Sequence, residues 1–417
     1  MLVLYRILIN IIFIISPIIL IYRLIKKKEH IKRFKEKFCF FSEKNINGKL
    51  IWFHGASVGE LQSIVPLLEK LERNKKIKKI LVTSNTLSSS KVLAGLNFKK
   101  VIHQFFPIDT KFHTKKFLNY WKPSSVFFID SEIWPNMYLN LKQKKIPITL
   151  INARITKKSF QRWKFFSNFS KKIFNTLDLC LASSIASKKY LLKLGATKVK
   201  FLGNLKFAQS ENTKITTTYN LKKFISSKKI WCASSTHHTE EKFCGEVHKE
   251  LKKKYKNLLT IIIPRHIERV NEIKSEMLNL NLKVHTYESE KKIASNTEIY
   301  IVDAYGKTKT FYNLCKNVFL GGSLIKHGGQ NPLEATRYGC NILHGPYIEN
   351  FKEIYTFLKK NKISHKINSQ KKMAYELDKL LKKKPNSKKI QNKLKLIGQK
   401  ILNSTLKEIK VQSFNEF

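Results

Sequence analysis

"IWFHGASVGELQSIVPLLEKL", Ile51 to Leu71, reads as three pieces of local structure in succession. An apolar and aromatic entry predicts a buried strand, small residues with two glycines predict a tight turn, and the run from Glu60 alternates apolar and polar residues at helical spacing. Strand, glycine turn and amphipathic helix in that order make a βα unit. A carboxylate, Glu60, stands where the helix begins.

The same alternation recurs on both sides of this unit. Strands are expected at "KLIWFHG", "KKILVTS", "VIHQFFP", "SVFFIDS", "IPITLIN", "LCLASS" and "KVKFLG", each followed by a polar or amphipathic segment. The polar stretch "NLKFAQSENTKITTTYNLKKFISSKK" interrupts the pattern. A second set then follows at "KIWCASS", "LLTIIIPRH", "LKVHTY", "IYIVDA", "NVFLGGS" and "CNILHGP". This βα repetition predicts an α/β protein of two Rossmann-like halves with parallel sheets, and a site in the cleft facing the strands' carboxyl ends. A chain of 417 residues exceeds what one hydrophobic core usually serves, in agreement with two domains. The expected boundaries are 1–25 for an N-terminal segment, 26–212 for the first domain and 213–417 for the second. The Lys-rich tail is read as a solvated helix within the second.

The N-terminal segment "LVLYRILINIIFIISPIILIYRLI" is apolar for about the length that spans a bilayer, and "KKKEHIKRFKEK" follows it. No small-residue cleavage site follows, so the reading is an uncleaved, single-pass transmembrane anchor with its basic flank, and the body of the protein, in the cytoplasm.

The formal net charge of +51 would ordinarily point to an anionic partner. Lys far outnumbers Arg and is abundant in every segment, so much of that charge reads as a generic solvated surface, and no nucleic-acid partner is expected. The cysteines Cys39, Cys180, Cys232, Cys244, Cys315 and Cys340 show no metal-ligand or redox spacing, which fits a reducing compartment.

Several strand ends carry chemistry. "GGSLIKHGGQNPLEATRYG" passes from a strand through paired glycines into a helix near Asn331 and Pro332, an arrangement that admits a phosphate to backbone N–H groups or, equally, a capping box of Asn331 with Glu334. "IIIPRHIERV" fixes Arg265 after Pro264 at a strand end, where a guanidinium meets phosphate in a forked geometry or pairs with Glu268. "FFIDSEIWPNM" places Asp130 and Glu132 at a strand-to-helix turn, Glu132 before an apolar Ile-Trp pair. "STHHTEE" and "PRHIERV" lack the spacing of a closed metal site, and "STHHTEE" reads first as a helix entry.

Taken in order, "WFHGASVGELQS", "LVTSNTLSS", "FIDSEIWPN", "INARIT", "GNLKF", "ASSTHHTEE", "IPRHIERV", "FLGGSLIKHGGQNPLEA" and "GPYIENFKEI" resemble the motifs of the 3-deoxy-D-manno-octulosonic acid (Kdo) transferases, bacterial lipid A glycosyltransferases. The resemblance covers essentially the whole chain. It implies a GT-B fold with an N-terminal membrane helix at the bacterial inner membrane. It also implies transfer of Kdo from CMP-Kdo to a lipid A precursor (lipid IVA) with inversion, in lipopolysaccharide core biosynthesis, with no metal or other cofactor.

By the same resemblance Glu60 falls on the catalytic base, expected to be ionised beside its helix N-terminus. Glu132 and Lys206 fall on residues that support the transition state. Pro264, Arg265, Tyr305, Gly306, Lys307, Asn331, Pro332, Leu333 and Glu334 fall on segments that hold CMP. Lys307, Gln330 and Ala208 depart from the family pattern, which usually has an acid, His and Asp there; only the side-chain part of the Lys307 contact is put in doubt. Two other classes fit part of the sequence: a GT-B enzyme using a UDP-sugar, and a non-enzymatic basic membrane-surface binding protein.

Overall fold

The computed structural model describes residues 1–45, 48–209, 219–287 and 292–414. The described chain divides into two compact units, Met1–Gln209 with Ile397–Phe417, and Ser210–Leu396. The middle of the expected linker, and with it the expected boundary between residues 212 and 213, lies outside the described residues.

Unit one is built on a seven-stranded sheet in the order β3-β2-β1-β4-β5-β6-β7. Its strands are β1 (Leu50–His54), β2 (Lys79–Ser84), β3 (Val101–Phe105), β4 (Ser125–Ile129), β5 (Ile148–Ala153), β6 (Leu179–Ala182) and β7 (Val199–Phe201). Every pairing is parallel. β1 and β4 are buried at every position, because helices cover both faces of a sheet that is crossed by βα connections. Trp52, Phe53, Phe127 and Phe128 are fully buried there, each contributing roughly 1.5–3 kcal/mol of apolar burial.

Unit two repeats the design in the order β10-β11-β9-β8-β12-β13-β14. Its strands are β8 (Lys229–Thr236), β9 (Leu258–Pro264), β10 (Val284–Thr286), β11 (Ile299–Ile301), β12 (Asn317–Leu320), β13 (Asn341–His344) and β14 (Ser364–Lys366). The two doubly wound parallel sheets agree with the sequence reading, strand for strand except β14. That edge strand is Ser-His-Lys and has no apolar run to announce it.

Strand order reverses between β1 and β4 in unit one, and between β8 and β12 in unit two. At such a switch point the crossover connections leave in opposite directions and open a crevice at the strands' carboxyl ends. His54 ends β1 and Asp130 follows β4; His237 follows β8 and Gly321 follows β12. The fold thereby gathers the chemically suggestive motifs at one point in each unit.

Helix α1 (Leu2–Ile25) is the one described helix long and apolar enough to cross a membrane. It also touches unit one at several points. Tyr5 Oη donates to Asp109 Oδ2 at 2.7 Å, Arg6 Nε to Asn136 Oδ1 at 3.0 Å, and the Phe13 ring lies 4.7 Å from that of His113. Beyond its last turn, Glu29 accepts both Arg23 at 2.6 Å and Lys37 at 2.8 Å. Its other face presents Val3, Ile14, Ile18 and Ile25, each at least 70% exposed.

The C-terminal helix, Ser387–Phe414, corrects the reading of a solvated tail. Ile390, Leu394, Ile401, Leu402, Thr405 and Ile409 form a buried stripe that the surrounding lysines mask in the sequence. From Ile397 onward it packs with unit one rather than unit two. A Cβ at Gly398 would meet the Phe207 carbonyl oxygen at 2.4 Å, and one at Gly203 would meet Ile401 at 2.8 Å. Lys200 and Glu408 add an ion pair at 2.7 Å.

Candidate active site

In unit one, Glu60 is the third residue of helix α2 (Val58–Glu72), whose N-cap is Ser57. Both halves of a capping box are present: the Glu60 N–H donates to Ser57 Oγ, and Glu60 Oε2 accepts the backbone N–H groups of Ala56 at 2.6 Å and Ser57 at 3.3 Å. This uses one carboxylate oxygen. Oε1, on a half-buried side chain, has no protein hydrogen bond among the described residues and remains available to a ligand. A Cβ at Gly55 would come within 2.9 Å of the Ile129 side-chain tip and 3.2 Å of Glu60 Cβ, so this turn is closely packed.

Glu60 departs from the expectation of an acid ionised well below neutrality. Burial, then the negative charges of Glu132 and Asp130, push its carboxyl up to about 7, against the opposing bonds from Ser57. At neutral pH such a group is divided between base and acid forms, the condition under which a carboxylate accepts a proton most effectively.

Glu132 faces the same crevice. Its Oε2 accepts Trp134 Nε1–H at 2.9 Å and lies 3.2 Å from His54 Nε2. The Ile-Trp pair after Glu132 is therefore explained: the indole is a donor to the acid, and the ring seals it. Asp130 has φ 56 and Asn152 φ 51, left-handed positions that turn both side chains inward. The Asn152 amide donates to Asp130 Oδ1, and Lys206 Nζ stands 3.5 Å from Asp130 Oδ2. Glu60, Glu132 and Lys206, chosen from the sequence, thus share one switch point, joined by His54, Asp130 and Asn152, which sequence reasoning quoted without giving a role.

In unit two the glycine turn after β12 is held from inside. Glu240, 1% exposed, accepts the N–H groups of His237 (3.0 Å) and Gly322 (2.7 Å) on one oxygen and of Ser323 (3.1 Å) and Leu324 (3.0 Å) on the other. The N–H groups of the glycine turn are thus occupied by this carboxylate, while those at the helix start near Asn331, which the sequence offered to a phosphate, are not among its donors. A Cβ at Gly321 would lie 2.4 Å from the Ser235 carbonyl oxygen, so β8 requires glycine there, while Gly322 has φ 62. Around this locked turn stand His237, His266 and His327, with ring centroids 6.2 Å apart for the first two and 4.5 Å for His237 and His327. Burial and the neighbouring His327 lower the basicity of His237.

Arg265 is exposed immediately beyond β9, its backbone N–H bonded to the Thr236 carbonyl at 3.0 Å. Glu268, the acid proposed as its surface partner, accepts the Tyr305 hydroxyl at 2.9 Å. Gly306 has φ 76 with open space around it, and Lys307 lies over the Tyr287 ring at 5.4 Å. The Leu333 N–H is capped by Asn331 Oδ1 at 3.1 Å, while Leu333 and Pro332 face the interior. Pro264, Pro332 and Leu333 are buried, Asn331 and Glu334 half-buried, and Arg265 and Tyr305 exposed. His238, Glu272 and Glu276 also converge at the surface, bridged by the Arg269 guanidinium, which bonds both Glu272 and His238.

Residues 32–209 match the family model for 3-deoxy-D-manno-octulosonic-acid transferase (kdotransferase). Over 410 residues the chain is 33% identical to 3-deoxy-D-manno-octulosonic acid transferase of Rickettsia bellii, covering 95% of this chain and 97% of that one. The chain belongs to the Kdo transferase family. The Haemophilus influenzae 3-deoxy-D-manno-octulosonic acid transferase is 27% identical over 383 residues, 91% of this chain and 89% of its own. UDP-GlcNAc 2-epimerase from Neisseria meningitidis shares the fold, with a TM-score of 0.58 at 14% identity over 86% of this chain and all of that one. As a Kdo transferase the protein is a glycosyltransferase.

Proposed function

We propose that this Kdo transferase moves Kdo from CMP-Kdo to a hydroxyl of a lipid A precursor, with inversion and with Glu60 as general base, in lipopolysaccharide core biosynthesis at the cytoplasmic face of a bacterial inner membrane. The observation that carries the reading is the setting of one carboxylate: Glu60 Oε2 is anchored by two backbone N–H groups, and the basicity of the half-buried carboxyl is raised by burial and by Glu132. The acceptor oxygen forms its bond to the anomeric carbon as its proton passes to Glu60 Oε1. The bond from that carbon to the phosphate oxygen breaks, and CMP departs with the electron pair.

Lys206, held by Asp130, supplies positive charge for the developing anions. Arg265, with Tyr305 near it, grips the nucleotide, and a single phosphate needs only such cationic and hydrogen-bonding partners. Helix α1, apolar on its outward face and followed by Lys26, Lys27 and Lys28, holds the enzyme where its lipid substrate resides.

The test is incubation of the purified full chain with CMP-Kdo and a tetraacylated lipid A precursor, with products resolved by mass. Addition of Kdo by wild type and its loss in Glu60→Gln support the reading. Turnover of a UDP-sugar instead, or binding to vesicles without any transfer, would replace it.

A further inference from the structure

His54 is the residue of the first crevice that the proposed chemistry leaves unused. It ends β1, its ring is 0% exposed, and it is stacked on Phe106 at a centroid distance of 3.9 Å with Phe128 and Trp134 at its edges. A histidine so enclosed is ordinarily a packing residue. Here both ring nitrogens have partners: Nδ1 lies 2.9 Å from Thr83 Oγ1, and Nε2 lies 3.2 Å from Glu132 Oε2.

The hydrogen bonds around Thr83 give this chain a direction. Trp52 Nε1–H, which can only donate, lies 2.8 Å from Thr83 Oγ1 and occupies an acceptor site there. The threonine proton then has two acceptors, His54 Nδ1 at 2.9 Å and the Phe53 carbonyl at 3.4 Å, and the shorter bond is to the imidazole. With Nδ1 accepting, the neutral ring carries its proton on Nε2, facing the carboxylate. Burial keeps the ring neutral by lowering its basicity, although Glu132 opposes this. Glu132 Oε2 thereby receives two donors, His54 Nε2–H and Trp134 Nε1–H, which fix where the carboxylate sits.

We propose that Thr83 and His54 form a one-way hydrogen-bond relay that holds the Glu132 carboxylate in place beside Glu60, making His54 a positioning residue for the pair of acids. This rests on the reading of Glu60 as base. The charged groups around the pair are Glu60 from α2, Asp130 and Glu132 from the turn after β4, Lys206 bound to Asp130, and Arg154 after β5, whose backbone N–H bonds the Asp130 carbonyl. Among these Glu132 is the larger charge contribution raising Glu60, ahead of Asp130. Removing the relay frees the Glu132 carboxylate to turn away from Glu60, and Glu60 then titrates lower and becomes a weaker base.

The test is the pH profile of kcat/KM for wild type, Thr83→Val, Thr83→Ser, His54→Leu, His54→Gln, Glu132→Gln and Glu60→Gln, with thermal melting on each preparation. Thr83→Val, His54→Leu and Glu132→Gln should move the midpoint of the acid limb down by about one pH unit and lower the plateau rate at least several-fold. Thr83→Ser, which keeps the hydroxyl, and His54→Gln, whose amide donates from the position of Nε2, should return the midpoint toward wild type. Folded Thr83→Val and His54→Leu enzymes with an unmoved acid limb would overturn the relay. An acid limb that persists in Glu60→Gln would instead remove Glu60 as base. Should the apolar variants not fold, nitrogen-15 NMR of the histidine-labelled full chain decides, with the His54 signal assigned by its loss in His54→Gln. The relay requires the Nε2–H tautomer, and an Nδ1–H tautomer would overturn it.

Discussion

Lys206 Nζ stands 3.5 Å from Asp130 Oδ2, and the same Asp130 reaches the backbone beneath Lys206 by a second route. Its other oxygen accepts the Asn152 side-chain amide, whose Oδ1 in turn accepts the Leu205 N–H at 2.9 Å. The acid therefore sets both the ammonium and the turn from which it projects. Asn152→Ala should cost about 1–3 kcal/mol, the usual range for stranding buried partners, and should lower turnover toward that of Lys206→Ala. Denaturant unfolding and turnover on one preparation check this; a stable, fully active Asn152→Ala would show the second route to be idle.

For Glu60→Gln the expected loss of turnover is about 10² to 10⁴, typical of removing a positioned base, with donor affinity little changed. In wild type the rate should rise roughly tenfold per pH unit below about 7 and level off above it. The stability sign is opposite. A carboxyl whose folded value is raised from 4.5 to about 7 favours the folded state at low pH, and that contribution is lost as pH climbs through about 7. Relative to wild type, Glu60→Gln should therefore melt higher at pH 8 than at pH 5.

Arg265→Ala should weaken CMP binding by about 1.5–3 kcal/mol, the range of a charge-assisted hydrogen bond. The melting temperature of the free protein should barely change, because Arg265 is exposed and Glu268 is engaged by Tyr305. Calorimetric titration with CMP measures the first and a thermal scan the second. Unaltered CMP affinity would remove Arg265 from the nucleotide site.

A different outcome is expected at Glu240. Glu240→Gln keeps the shape but replaces one acceptor oxygen with a donor, leaving two of the four loop N–H groups facing an NH₂. The cost should be about 2–5 kcal/mol, with CMP affinity reduced because the turn that shapes the crevice relaxes. A variant as stable as wild type would mean that the loop does not depend on this acid.

The sheets were legible because buried parallel strands need continuous apolar runs and the glycine turns punctuate them. β14 was not, since an edge strand of three polar residues has no such run. Glu60 was legible as an acid at a helix start, but its basicity depends on Glu132 and Asp130, which are distant in sequence and meet it only across the switch point. Glu240 looked like an ordinary first-turn acid, and only the fold brings Gly322, Ser323 and Leu324 over it. His54 was in plain view in the opening stretch, yet the direction of its hydrogen bonds is set by Thr83 on the neighbouring strand.

Deleting Met1 to Ile25 should lower membrane retention while leaving turnover of detergent-solubilised acceptor largely intact. It should also lower the melting temperature, since Asp109 loses the Tyr5 hydroxyl and His113 and Phe38 lose the Phe13 ring. Flotation with liposomes, a thermal scan and an activity assay on one truncated preparation separate the three effects. A folded truncation with no activity would show that the helix does more than attach the enzyme.

The close seating of Gly398 on Phe207 and of Ile401 on Gly203 also bears on when the protein becomes competent during its synthesis. Glu60 and Glu132 lie early in the chain, but the turn that carries Lys206 gains its backing only when the segment around Gly398 and Ile401 has been made and has folded onto it. On the proposed mechanism a nascent chain has its acids long before its cation is braced, and a chain that stops short of Gly398 is expected to turn over poorly.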